Sequence, residues 1–547
     1  MSVPLELSVI IATRNRRALL ERCLGSLRGQ TQDPGSYEVL VADDGSDDGT
    51  AEALEGLGMP FRLRILRLEQ GGRAAARNAA IRAAEGRICL TLDDDVIADP
   101  RLIAAHVEAH AGAGPVLGIG GLTQALPRAR DWYAREFAHA WNRHYEALAE
   151  KSVDWTAGYS GNMSAPRSAL LEVGGFAIPE LRAHDDIELA YRLSQIGCQP
   201  RYLPRAHGLH DDQKPRKNLL ADSGRQGEIA VELSEQVPAM LPKLLGWFGA
   251  TSTREIRLRR LLLALRVPPV ALAALGPLVP GEGRQGIWFD FVRRFAFWRG
   301  VRRSTDRARW AQITRPVPVL LYHAFSEQRS PDRYVVAGRS FARQMRLLSL
   351  LRYRVIGFDE LARALREHQL PPRRAAVITI DDGYRDNLEV AQPVLRRRGF
   401  VATIFLVSAK LGGGNDWTEE GELSGRPLLS VDEVRRLQAE GVRFGAHTRS
   451  HCSLPGVPDE QVPAEIRGSR EDLERDLGAE VPVFAYPYGH HDERSAAVVE
   501  RSGFAGAGTT HPRLVGLDQD PALIPRVEIR SSDSLLRFLG KLRHGGH

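Results

Sequence analysis

Two sets of carboxylates and histidines in this sequence have the make-up of metal-dependent sites. In the first, Asp43-Asp44-Gly45-Ser46 and Asp93-Asp94-Asp95 each end a short β-branched run, and His184-Asp185-Asp186 opens a helical pattern. Carboxylates clustered at adjacent strand ends repel one another unless a cation sits among them. Hard divalent ions take one or two carboxylates plus phosphate oxygens, which points to a metal–diphosphate site. Either Asp motif alone could be a cap for the next helix or turn; both together argue for the ion. In the second set, Thr379-Ile380-Asp381-Asp382-Gly383 ends one run, and His447 and His451 follow another. Two histidines four apart, with a carboxylate from a different strand end, make an open three-ligand site suited to zinc-like ions.

These residues need rigid elements beneath them. Over the first 120 residues, strands at Leu7–Ala12, Glu38–Ala42, Leu63–Leu68 and Arg87–Leu92 alternate with helical patterns such as Arg16–Gln30. That alternation predicts an α/β sheet with its site above the carboxyl ends of the strands. A second α/β region starts near Pro316, with strands at Val317–Tyr322, Ala376–Thr379, Thr403–Val407 and Val442–Ala446 and helices such as Ser340–Leu351 and Val431–Glu440. No internal repeat is visible. The resulting domain expectation is 1–235, a connector over 236–315, and 316–547.

Charge divides along the same lines. The chain carries +6, but Arg254–Arg309 holds thirteen Arg, no Lys and four acids, a net of +9, so the rest sums to −3. At 547 residues the chain is several times the ~150 residues of an ordinary domain. Its 43% hydrophobic and 26% charged residues exclude a disordered or fibrous chain. Four scattered cysteines (Cys23, Cys89, Cys198, Cys452) exclude a disulfide scaffold. The opening residues lack the pattern of a secretion signal, and the apolar run Val267–Val279, with Pro268, Pro269 and Pro277, is shorter than the ~20 residues a spanning helix needs. A cytoplasmic protein, peripheral on the inner membrane face if membrane-bound, is the expectation.

Residues 1 to about 215 resemble an inverting family 2 glycosyltransferase of the GT-A, Rossmann-like nucleotide-sugar fold. The resemblance rests on I-I-A-T-R-N-R (10–16), V-A-D-D-G-S-D-D-G-T (41–50), G-G-R-A-A-A-R-N (71–78), T-L-D-D-D (91–95), G-N-M (161–163), V-G-G-F (173–176) and H-D-D-I-E-L-A-Y-R-L (184–193). It implies a nucleotide-sugar donor, uridine-linked, contacted by Thr13, Asn15, Asp43, Asp44, Arg77 and Asp93. It also implies Mg2+ or Mn2+ on Asp95 and His210, with His207 competing for the histidine's place, Asp186 as general base, and Asp185 beside the substrate. After Tyr191-Arg192-Leu193 the chain reads S-Q-I-G-C and lacks the Q-x-x-R-W of processive synthases, so addition of one or a few sugars is expected.

Residues from about 316 to 540 resemble polysaccharide deacetylases of carbohydrate esterase family 4, whose fold is a distorted (β/α) barrel. T-I-D-D-G matches the family's T-F-D-D-G, which implies Asp381 as general base and Asp382, His447 and His451 as ligands of Zn2+ or a similar ion. Where many members have R-x-P-Y, this chain has Ala485-Tyr486-Pro487-Tyr488-Gly489, so the arginine that orients the base is expected to be absent. The late L-x-H of the general acid is not evident either, and His511 lacks that context. These departures, with Leu321-Tyr322-His323-Ala324-Phe325, resemble the poly-N-acetylglucosamine deacetylase subgroup and make His323 the candidate acid. Tyr486, Pro487 and Tyr488 are expected against the substrate, with Trp417 in a Gly-rich loop as lid or sugar platform.

The combined expectation is a bifunctional enzyme: metal-dependent transfer of an N-acetylhexosamine to a glycan or lipid-linked saccharide, and N-deacetylation of an acetylated glycan. The alternative is a glycosyltransferase whose carboxy-terminal barrel merely binds carbohydrate. The connector is expected either to pack as helices on the first domain or to lie on an anionic membrane, through Leu261–Leu263, the Val267–Val279 run and Trp288, Phe289, Phe291, Phe295, Phe297 and Trp298. Nucleic acid is excluded as a partner, because both flanking units carry acidic sites.

Overall fold

The structure is a computed structural model that describes residues 5–112, 114–127, 131–150, 152–178, 181, 183–211, 214–249 and 252–546. Met1–Pro4, the start of the segment searched for a signal, lie outside them. The chain forms two compact units, one of residues up to Glu235 with Lys243–Ser304, the other of Gln236–Pro242 with Thr305–His547.

In the first unit, strands β1 (Leu7–Thr13), β2 (Tyr37–Asp43), β3 (Arg62–Arg67), β4 (Ile88–Leu92), β5 (Val96–Ala98), β6 (Val116–Gln124), β7 (Asn162–Pro166) and β8 (Gln199–His210) form one sheet in the order 3-2-1-4-7-6-8-5. β1, β2, β3 and β4 are parallel neighbours. β1, β2 and β4 are almost wholly buried, which is why they read as continuous apolar runs and not as alternation. The strand order reverses between β1 and β4, and at such a switch point a crevice opens beyond the carboxyl ends. Thr13, Asp43 and Asp93 stand at those ends.

In the second unit, β9 (Val319–Tyr322), β12 (Arg354–Ile356), β13 (Ala375–Ile380), β14 (Thr403–Leu406), β15 (Arg443–Ala446), β16 (Val483–Ala485), β17 (Gly506–Gly508) and β18 (Val527–Glu528) form a parallel sheet, and β10 (Ala324–Ser326) pairs with β11 (Val335–Ala337) apart from it. Along one edge of β13, β12 covers the first half and β14 the second. The sheet runs 17-16-15-14-13-9-18, and the bridge Gly508–Ile524 ties β17 back to the stretch before β18, curling it into a distorted barrel. His323, Asp381 and His447 each lie one residue past a strand end, so parallel alignment alone gathers them at one rim.

The connector aromatics expected at a lipid face are inside the first unit. On helix Glu282–Arg303, Phe289, Phe291, Phe295, Phe297 and Trp298 are buried, with Trp288 half-buried. They pack on Trp132 and Tyr133 of helix Trp132–Leu148 and on Phe248, whose ring stacks on Phe297 at 3.9 Å. A helix apolar around most of its girth gains more from covering on several sides than one flat surface could provide.

Candidate active sites

At the switch point, Asp93, Asp95 and His210 offer ligand atoms all within 4.8 Å of one another. The antiparallel β5–β8 pair sets Val96 opposite His210, which delivers the histidine to the residue before Val96. His210 Nε2 and Asp95 Oδ1 stand 2.7 Å apart, yet neither atom has a hydrogen bond among the described residues. Buried donors converging without mutual satisfaction fit a cation. His207 faces Thr123 at 3.0 Å and Asp99 at 3.2 Å, away from this group.

Several predicted nucleotide contacts serve this acidic cluster from within. Thr13 donates to Asp94 at 2.7 Å, and Arg16 pairs with Asp94 and Asp95. Burial pushes the Asp94 carboxyl up to about 6, with Arg16 and Thr13 opposing. Arg77, buried at 2% exposure, donates to Asp93 at 2.7 Å and lies 3.6 Å from Asp185, which also accepts from Arg73 at 2.8 Å. Arg77 is thus a brace behind the D-x-D, while Asp185, paired with Arg73, lines the same cavity as Asp186. Asp44 accepts from the Gly71 and Gly72 amides, Asp43 from the Ser46 amide, and Asn15 Oδ1 from the Asp47 amide, which fixes the loops at the crevice.

Asp186 is half-buried in the first turn of helix Asp185–Gln195. Burial first, and then the charge of Asp185, push its carboxyl up to about 6. It lines a cavity of about 580 Å³ with Phe137, Trp141, Tyr159 and Trp247, while Phe289 and Arg293 of the connector complete the wall. A carboxylate of raised pKa facing an aromatic pocket is suited to taking a proton from a hydroxyl group.

In the second unit Asp382, His447 and His451 likewise converge within 4.8 Å. His447 Nδ1 donates to the Ala485 carbonyl at 2.8 Å, which leaves its Nε2 lone pair facing Asp382 Oδ1 at 3.5 Å. His451 Nε2 lies 3.2 Å from the same oxygen, its Nδ1 3.2 Å from the Tyr488 hydroxyl. Asp382 Oδ1 is buried and has no hydrogen-bond donor among the described residues. Two imidazole lone pairs around an unsatisfied carboxylate oxygen match what a zinc-like ion requires. Asp382, Thr448, His451 and Tyr488 all hold positive φ, a costly backbone state for residues other than glycine that is typical of sites whose side-chain aim is fixed by their surroundings.

The absent arginine is present after all, from another strand. Arg526, just before β18, is fully buried and grips Asp381 through two bonds, Nη1–Oδ1 at 2.6 Å and Nη2–Oδ2 at 2.8 Å. Burial works to raise the Asp381 pKa, but Arg526 and then His447 outweigh it and hold the carboxyl below its ordinary value. Gly508 makes room, since a Cβ there would stand 2.7 Å from Arg526 Nε. The sole sequence signal was an arginine abutting the apolar run of a short strand, some forty residues beyond the motif. Of the two departures behind the carbohydrate-binding alternative, the missing arginine is thereby removed.

The other expectations divide. His323 has a buried Nδ1 with no hydrogen-bond partner among the described residues, and its charged form would help hold both Asp381 and Asp382 ionised. Trp417 stacks on the His451 ring at 4.5 Å, while its other contacts are the cluster around Tyr384 and Leu428. Tyr488 is 49% exposed beside His451. Tyr486 turns away from the site, and Pro487 follows it in the chain. Both are buried, and the Tyr486 hydroxyl donates to the Ala522 carbonyl at 3.1 Å, because the ring continues the inward face of β16 onto Phe484.

Residues 8–173 match the family model for glycosyl transferase family 2, and residues 368–507 that for polysaccharide deacetylase. YxkH of Bacillus subtilis (strain 168), which carries the name of a polysaccharide deacetylase, is 26% identical over 230 residues, 42% of this chain and 77% of that protein. The validoxylamine A glucosyltransferase of Streptomyces hygroscopicus subsp. limoneus is 29% identical over 291 residues, 47% of this chain and 63% of that enzyme. Among solved structures, the Streptococcus pyogenes deacetylase PplD in complex with acetate matches with a TM-score of 0.37 at 22% identity, covering 42% of this chain and 98% of PplD. Among the described residues no helix is long and apolar enough to cross a membrane. The chain joins two enzyme domains, one of glycosyl transferase family 2 and one of the polysaccharide deacetylases.

Proposed function

We propose that the first domain transfers a sugar with inversion from a nucleoside diphosphate donor, and that the second removes acetyl groups from an acetylated glycan. One observation carries the reading: each sheet ends in a three-ligand cluster beside a separate carboxylate, Asp186 in one case and Asp381 in the other. In the first domain Asp93, Asp95 and His210 hold Mg2+ or Mn2+, which supplies charge neutralisation for the departing diphosphate. Asp186 takes the proton of the acceptor hydroxyl as that oxygen attacks the anomeric carbon. The aromatic wall of the cavity holds the acceptor sugar, and Arg77 keeps Asp93 in place. The donor is a uridine diphosphate N-acetylhexosamine and the acceptor a glycan or lipid-linked saccharide.

In the second domain Asp382, His447 and His451 hold Zn2+ or a similar ion, which supplies Lewis acidity at the amide carbonyl. Asp381, fixed by Arg526, takes a proton from the attacking water, and His323 delivers one to the leaving amine. Trp417 and Tyr488 flank the sugar. The chain acts on the cytoplasmic side, where nucleotide sugars are made and its four free cysteines stay reduced, with an anionic membrane surface as the meeting place with the acceptor.

The test is a screen of labelled nucleotide sugars against lipid extract and free glycans, run beside an assay for acetate release from N-acetylglucosamine oligomers. Transfer lost in Asp186→Asn and acetate release lost in Asp381→Asn, each without effect on the other, is the expected pattern. Retained metal with no acetate from any acetylated glycan, free or lipid-linked, would leave the second domain a binding module.

A further inference from the structure

Helix Thr253–Ala264 turns charged residues inward beside Leu262 and Leu263 and leaves other leucines outside. Arg259 is buried at 8% exposure with its guanidinium 4.3 Å over the Trp298 ring, and Glu255 pairs with Arg294 at 2.8 Å. On the opposite face Leu258, Leu261 and Leu265 stand in solvent. The exposed apolar set continues through Val270, Leu275, Leu278 and Ile287, at exposures between 42% and 78%. Seven of the fifteen exposed large hydrophobic residues among those described thus fall within thirty consecutive positions. Arg254, Arg257, Arg260, Arg266 and Arg284 are exposed along the same stretch. Scattered single apolar residues are ordinary on a water-soluble surface, but this density of them in one stretch, interleaved with arginines, is that of an interaction face.

This face adjoins the acceptor cavity. The Trp132 and Trp288 indoles donate to the carbonyls of Ala273 and Leu272, seating helix Pro269–Ala274 on helix Trp132–Leu148. Phe137 and Trp141, on that latter helix, line the cavity with Asp186. We infer that the 258–287 ridge docks on an anionic phospholipid surface, leucines in the acyl boundary and arginines on the head groups, so that the cavity receives the saccharide of a lipid-linked acceptor. Leucines and arginines side by side suit that occupant, because apolar burial and attraction to anionic lipid act together at one surface. The inference rests on the proposed transferase reading for what enters the cavity; the docking itself does not.

The experiment is sedimentation of the full chain with phosphatidylcholine vesicles, with and without phosphatidylglycerol, for wild type and for Leu261→Glu/Leu265→Glu/Leu278→Glu. Expected is binding stronger by about tenfold or more to the anionic vesicles, weakened by salt and lost in the triple variant. Arg257→Glu/Arg260→Glu should remove the salt-dependent part. In parallel, sugar transfer to a soluble acceptor should be unchanged in the triple variant, while transfer to an acceptor embedded in vesicles falls about tenfold or more. Wild type that stays in the supernatant with both vesicles overturns the inference. So does undiminished binding by a folded triple variant, or a dimer seen by light scattering that the variant dissolves with no vesicle binding in wild type. Absence of any transfer, with vesicle binding intact, would instead sink the transferase reading and leave the docking standing.

Discussion

Replacing Arg526 by Gln removes the charge that faces Asp381 while keeping a side chain able to donate hydrogen bonds. Both partners are buried and bonded twice, at 2.6 and 2.8 Å, so no solvent replaces the guanidinium. Breaking a buried pair of this kind costs about 3–5 kcal/mol. At about 1.36 kcal/mol per pKa unit, that corresponds to a rise of about 2–4 units in the Asp381 pKa. The wild-type carboxyl lies below its ordinary value, so the stability it contributes is complete at neutral pH and is lost only as pH falls through that low value. In Arg526→Gln the acid limb of kcat/KM for acetate release should therefore move up by about 2 units or more, and stability at neutral pH should fall by a few kcal/mol, roughly. Zinc content should hold, since Asp382, His447 and His451 are untouched, and sugar transfer should be unaffected. Removing both partners, as in Asp381→Asn/Arg526→Met, should recover stability without activity, because no buried charge is left alone. A folded Arg526→Gln protein with the wild-type acid limb and rate would refute the reasoning.

Three further outcomes follow from the same geometry. Asp186→Asn should lower sugar transfer by about 10²–10⁴-fold in a coupled nucleotide-release assay; because the Asp186 carboxyl sits at about 6 and must be ionised to act, wild-type transfer should fall about tenfold per unit as pH drops below that value. His451→Ala should lose zinc by elemental analysis and acetate release together, with transfer intact, whereas loss of activity with zinc fully retained would remove His451 from the ligand set. His323→Ala should keep zinc but slow acetate release by about 100-fold; an unchanged rate would make His323 a buried strand-end residue and nothing more.

Much of the site was legible because it is local. Strand ends carrying Asp93–Asp95, Asp381-Asp382 and His447 are marked by apolar runs that stop at a carboxylate or imidazole, and parallel sheets bring such ends to one rim whatever the loops do. Tyr486 was misread for the opposite reason. Its motif sits at a strand end, but which way a ring turns there depends on the inward face of β16 and on the Ala522 carbonyl. The connector shows the same limit. Its mixture of aromatics and arginines was visible, yet most of the aromatics turned out buried, together with Arg259 and Leu272, while Leu258, Leu261, Leu265, Leu275 and Leu278 are exposed.

By itself, then, the sequence determined Asp93, Asp95, Asp382, His447 and His451 as candidate ligands, the carboxylates beside them and the α/β elements that carry them, since each is written within a few residues of a strand end. Only the tertiary structure decided that His210 and not His207 joins Asp95, that Arg77 braces Asp93, and that Arg526 holds Asp381 from 145 positions away. Those choices depend on strand register and on which charge is left without solvent after packing, and neither quantity exists until distant segments have come together.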